Sequence, residues 1–304
     1  MILKLGIMKN CGSALLGICL LASVACADVC FTHTYTVDEF LLGTKQAELI
    51  ISYADASMAV DKHTRFTGTW MKRFFGEEKQ ERFSTQFLLD EGRINEIDWQ
   101  NRRLYLYDLG KLDQLQWFRQ DPAYDQSLAD HLKNRYTVKP PKLNLAIDPE
   151  EHLINGYPCR RLIAQLELET HDHLKDTISK TLVQQESWLS VEVRGYAEYL
   201  HFRHLLSDRL GIESERLGPL TYLLRYWNGS LEPIRGRLKD VTGYPVKTET
   251  VVTAHYTTDP GTDAATTIQK VLKKESALLS RVSSEMQDPG QFQIPDNFET
   301  IPVQ

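Results

Sequence analysis

His201, His204 and Asp208 fall at i, i+3 and i+7 of one stretch. On a helix this spacing puts two imidazoles and a carboxylate on one face, where they could hold a metal ion and activate a water for hydrolysis. The same spacing also describes the solvated side of a helix whose other side carries Tyr and Leu. His171 and His173 form a second pair, sharing a face in a strand and solvated in a loop. Glu77-Glu78 and Glu150-Glu151 adjoin turns or prolines, where solvation accounts for them. The chain has no nucleophile elbow, no phosphate-cradling glycine loop and no HExxH helix. The reading is therefore non-enzymatic and without a cofactor, with a metal-dependent hydrolase at His201, His204 and Asp208 as the remaining catalytic alternative.

Apolar residues offer a different chemistry. Phe66, Trp70 and Phe74 alternate on one face of an extended stretch, and Phe83 and Phe87 alternate on the next. Leu104 and Leu106 share a side of a segment whose opposite side carries Tyr105, Tyr107 and Leu109, so both faces of that strand need cover. These residues are either ordinary core or the wall of a hydrophobic pocket, since a packed helix and an acyl chain are equally apolar partners.

Residues 1–27 read as a signal peptide: Lys4 and Lys9, an apolar stretch from Ala14 to Val24, and the small-residue end Ala25-Cys26-Ala27. The sequence around Cys26 also passes as a loose lipobox, which would place a lipid on that cysteine. The expected location is the periplasm or the exterior, with an outer-membrane lipoprotein as the alternative. The formal net charge is −6, and removing Lys4 and Lys9 with the leader makes it −8. An acidic chain without basic clusters excludes a nucleic-acid partner, and membrane contact is expected only through a lipid on Cys26. Of five cysteines, Cys30 and Cys159 lie beyond the leader; in an oxidising compartment they are expected to pair, with two buried thiols as the alternative.

Residues 28–304 suit a single domain built mainly of strands. Period-2 alternation runs through Phe83–Leu89, Leu162–Leu168, Leu189–Val193 and Val246–Tyr256, with turns at Asp90-Glu91-Gly92, Trp99-Gln100-Asn101 and Asn155-Gly156. Short strands joined by such turns predict an antiparallel meander. Helices are predicted over Pro122–Tyr136, Gly195–Leu210 and Leu217–Trp227. Thr266–Met286 fits a helix through Ile268, Val271, Leu272, Leu279 and Val282, yet part of it could be a strand.

Four landmarks come in a recognisable order: Ile97-Asp98-Trp99-Gln100-Asn101-Arg102-Arg103-Leu104-Tyr105, Asn155-Gly156-Tyr157-Pro158-Cys159, Glu186-Ser187-Trp188-Leu189-Ser190 running into a helix, and Gly243-Tyr244-Pro245-Val246-Lys247, followed by Phe292-Gln293-Ile294-Pro295. This order resembles bacterial exported families with the fold of the periplasmic lipoprotein carrier, the shuttle of the Lol system, over residues 45 to 300. The resemblance implies an α+β, mainly β fold: a strongly curved antiparallel sheet, an unclosed half-barrel, with helices covering its concave face. It further implies a hydrophobic ligand or lipidated protein as partner, held near Phe66, Trp70, Phe74, Phe83, Phe87, Leu104 and Leu106. Extra material near 111–141 and 195–240 departs from that family as helical insertions. The alternative is a structural protein whose interior is filled by its own side chains.

Overall fold

The computed structural model describes residues 29–40, 43–68, 80–110, 135–210, 220, 223, 241–284, 292–294 and 296–303. The strands are β1 (Val29–Glu39), β2 (Gly43–Ala54), β3 (Ser57–Phe66), β4 (Gln80–Leu88), β5 (Arg93–Asp98), β6 (Arg103–Asp108), β7 (Tyr136–Val138), β8 (Lys142–Ile154), β9 (Tyr157–Asp172), β10 (Thr177–Ser190), β11 (Tyr244–Thr258), β12 (Thr266–Ser283) and β13 (Glu299–Val303). Helix α1 (Tyr196–Leu210) lies between β10 and β11. The leader, Cys26, Trp70, Phe74 and most of the predicted helix at 122–136 lie outside the described residues. Of the predicted helix at 217–227, only Leu220 and Leu223 are described, and both are fully buried.

All thirteen strands join one sheet, in the order β13-β6-β5-β4-β3-β2-β1-β12-β11-β10-β9-β7, with β8 also on β9. Two meanders, β1 to β6 and β8 to β12, are welded where β1 pairs antiparallel with β12. Among the described strands, β13 on β6 is the parallel pair. The sheet does not close, since β13 at one edge and β7 and β8 at the other have no further partner strand among the described residues. The fold is thus mainly β and unclosed, as expected. One helix, rather than a layer of helices, packs against the sheet among the described residues.

The turns follow from local chemistry. Asn155 and Gly156 have φ of 53° and 84°, the left-handed pair that a two-residue hairpin requires to match strand twist. Before α1, Gly195 has φ of 86°, and a Cβ there would lie 2.3 Å from the Val29 side chain. Only glycine lets the helix entrance come this close to β1.

Within the segment 266–286, Thr266–Ser283 is strand, as β12 pairs with β11 on one side and β1 on the other. Both ladders shift register on β12, at Leu272 and at Ser280. Each shift inserts one extra residue and turns a two-residue alternation locally into a three-residue step. Ile268, Val271, Leu272, Leu279 and Val282 imitate helical spacing for that reason.

Candidate ligand surface

Register assigns every strand residue to one of two faces. Phe31 pairs with Ile51, Tyr53 with Met58, and Met58 with Phe87, so Phe31, Tyr53 and Phe87 carry their alternate neighbours on one face. That face bears α1, whose Tyr199, Phe202, Leu206 and Leu210 are buried at helical spacing. Phe202 lies 5.5 Å from Tyr53 and 6.2 Å from Phe87 between ring centroids. Tyr244 stacks on Phe31 at 4.1 Å and meets the Tyr199 ring edge-on at 5.1 Å. Phe31, Ile94 and Phe202 have no exposed surface. This end of the face is sealed by its own rings, and each buried aromatic contributes roughly 1.5–3 kcal/mol.

One polar pair sits inside this seal. His33 Nε2 and the Tyr244 hydroxyl oxygen lie 2.7 Å apart. Burial disfavours the imidazolium and lowers the His33 pKa to about 4. Burial likewise raises the Tyr53 and Tyr244 hydroxyls well above the ordinary phenol range. These groups are neutral and structural near neutral pH.

Further along the same strands the face changes character. A polar belt follows: Gln185, Ser187 and Thr250 are buried, and the Gln185 amide donates to the Ser187 hydroxyl at 3.0 Å. Glu275 is buried beside Lys273, which it pairs with. Beyond the belt the face opens. On β11 and β12 the cross-strand pair Tyr256 and Ile268 reaches 43 % and 62 % exposure; on the near side of the belt, level with His33 through β3, β2 and β1, Phe83 of β4 is also 44 % exposed, against 5 % for Phe87. Three lysines accompany these side chains. Lys45 lies 5.3 Å from the Phe66 ring centroid, Lys62 lies 5.2 Å from Tyr35, and Lys270 lies 3.4 Å from Phe40.

Of the expected pocket residues, Phe66, Phe83 and Phe87 share the α1-bearing face, with Phe87 in the sealed core and Phe66 buried under Lys45. Leu104 and Leu106 do not join them, because β6 presents both on the opposite face. Leu104 is fully enclosed there, where the C-terminal segment crosses the sheet: the Gln86 amide donates to the Gln293 carbonyl, and Phe298 meets Trp99 edge-on. Tyr256, Ile268, Lys62 and Lys270 were missed by the sequence reading. Tyr256 stood in an alternating run, but nothing local marked its open side.

The opposite face also carries a cleft of about 550 Å³, lined by Gln46, Glu48, His63, Arg65, Arg82 and Trp99 among others. Beside it Arg82 grips the Asp61 carboxylate through two nitrogens, at 2.6 and 3.1 Å, and lies 4.1 Å from the Trp99 ring centroid. His63 and Ser84 also bond Asp61, and the Trp99 indole N–H donates to the Ser84 hydroxyl at 2.7 Å.

The catalytic alternative is not assembled. His201 faces Asp55 at 3.6 Å, and His204 and Asp208 are exposed. Their ligand atoms do not converge. The His171 and His173 rings come within 4.4 Å, but His171 bonds Asp176 and His173 bonds Thr137. Asp148, Glu150 and His152 form the one group among the described residues with ligand atoms within 4.8 Å of one another. Asp148 there already accepts a hydrogen bond from Arg161 at 2.7 Å, so the group is explained as a β8 surface ion pair.

The expected Cys30–Cys159 bridge is absent: both are buried, free thiols. β10, β11 and β12 stand between their strands. Cys159 donates to the Tyr157 carbonyl, and burial raises its pKa to about 11. It is therefore a protonated, unreactive thiol at neutral pH. No described helix is long and apolar enough to cross a membrane. No protein-family model matches the sequence, and no curated protein matches it.

Proposed function

We propose that this chain is a non-enzymatic cell-envelope protein that binds an apolar chain on the open end of the α1-bearing face, as a carrier or sensor of a lipid or lipoprotein anchor. The observation that carries this reading is the gradient along one face, from Phe87 at 5 % to Phe83 at 44 % exposure on a single strand. Large apolar side chains left in water beside a sealed core are where hydrophobic binding gains most, at about 25 cal/mol per Å² removed from water.

A curved, half-barrel sheet follows as the finer part of the proposal. Adjacent strands lie about 4.8 Å apart, yet Phe31 on β1 and Tyr244 on β11 stack at 4.1 Å across the intervening β12. The Asn155 amide in the β8–β9 turn donates to the Leu279 carbonyl of β12 at 2.6 Å, across β10 and β11. Both contacts draw separated strands toward α1.

A scaffold filled by its own side chains is the second reading, favoured by the ring packing beneath α1. Native mass spectrometry with lipid extraction separates the two. Fatty acid or phospholipid co-purifying at fixed stoichiometry supports binding. A clean protein mass, with no uptake of added lipid, supports the scaffold.

A further inference from the structure

We infer that the cleft on the face opposite α1 is a second, independent site, and that its ligand is a neutral oligosaccharide. The floor of the cleft is a regular grid of side chains. Thr34, Glu48, His63 and Arg82 stand opposite one another across β1, β2, β3 and β4. Gln46, Arg65 and Gln80 form the next row on the same face. Strand spacing makes this floor ~14 Å by ~7 Å, and the turn after β5 adds Trp99 and Gln100 to the lining. A volume of about 550 Å³ lies within the range of small-molecule sites.

The chemistry of the lining selects the ligand class. Trp99 is the one large apolar side chain in it among the described residues, so a hydrocarbon gains little here. Neither sign of charge prevails, because Arg65 and Arg82 are matched by Glu48 and by the Asp61 carboxylate that Arg82 grips. The floor therefore presents donors and acceptors side by side. Gln46 and Glu48 are exposed, and their side chains make no hydrogen bond among the described residues. A sugar hydroxyl both donates and accepts, so it can pair with an amide, a carboxylate or a guanidinium in turn. The C–H face of the same sugar ring packs on an indole. Trp99 is already fixed for that contact by its N–H bond to Ser84, the edge of Phe298 at 5.5 Å and Arg82 at 4.1 Å. A side chain held in this way loses little freedom when a ligand arrives.

Saturation-transfer NMR on the full-length mature protein tests the inference with maltotriose, cellotriose and triacetylchitotriose, set against the acidic sialyllactose. Transfer is expected to at least one neutral trisaccharide, and none above background to sialyllactose. Gln46→Ala/Glu48→Ala, at two exposed positions, should weaken that binding about tenfold or more with an unchanged thermal midpoint. Trp99→Phe should keep part of it, since an aromatic face remains. Transfer to none of the three neutral sugars, or binding that survives the double substitution, overturns the inference. Stronger transfer to sialyllactose than to any neutral sugar also overturns it, and makes the cleft an anion site. Lipid uptake on the α1-bearing face is a separate readout that none of these outcomes alters.

Discussion

The two ends of one sheet face are made by the same strands and behave as different materials. At the α1 end, Phe31, Tyr53, Phe87, Phe202 and Tyr244 interlock with almost no exposed surface. About four residues further along β4 and β3, Phe83 is exposed and its cross-strand neighbour is Lys62. Alternation sets which face a residue joins, but what packs over that face, α1 above all among the described residues, sets whether the residue becomes core. One sheet face is thus sealed at one end and open at the other, and on β10 and β11 the buried polar residues Gln185, Ser187 and Thr250 lie between the sealed rings and the exposed Tyr256.

This contrast can be broken by substitution. The largest effect is expected from Phe202→Ala, which removes a fully buried ring touching Tyr53 and Phe87. It should cost about 3–5 kcal/mol in urea unfolding, and a loss below 1 kcal/mol would show that α1 does not seal the face.

Acid should weaken the sealed end next. His33 has a folded pKa of about 4, below the ~6.5 of an unfolded histidine. The unfolded chain therefore binds more protons between these values. The stability tied to a neutral His33 is fully present above pH 6.5 and is lost as pH falls toward 4, up to about 3 kcal/mol across the window. His33→Gln should flatten the stability profile in that window; an unchanged slope would mean that His33 is not held neutral.

The open end should respond in the opposite sense. Ile268→Ser removes a side chain 62 % exposed, so stability should move by less than ~0.5 kcal/mol while palmitate affinity falls several-fold. A large stability loss without loss of binding would make Ile268 ordinary core.

Smallest of all should be Arg82→Met on the other face. It breaks a partly exposed ion pair with Asp61, a change of about 0.2–1 kcal/mol in thermal denaturation. Lipid binding should be untouched, and a fall in affinity would move the ligand to the cleft beside Trp99.

Much of this architecture was legible from residue order. The alternations in β4, β9 and β11, the Asn155-Gly156 hairpin and the stripe Tyr199, Leu206, Leu210 of α1 follow from local period alone. β12 was ambiguous because two bulges broke its alternation. Leu104 and Leu106 were correctly placed together on one side, yet only the register through β5 and β4 shows that this side faces away from Phe87. Strands β1 and β2, the first interleaved with Thr32, Thr34 and Thr36 and the second carrying Leu49, Ile50 and Ile51 in an unalternating run, gave no local signal strong enough to be read. The site was less legible than the fold, because exposure at Tyr256, Ile268 and Phe83 depends on where α1 stops, a tertiary fact with no counterpart in local spacing.

Hydrogen–deuterium exchange of the full-length mature protein, with and without saturating palmitate, tests the central claim most directly. The account predicts new protection in β12 at 266–275, in β3 at 60–66 and in β4 at 80–85, with α1 and the sealed ends of β1 and β2 unchanged. Protection confined to the opposite face, or no change at any strand, would contradict a ligand surface at the open end of this sheet.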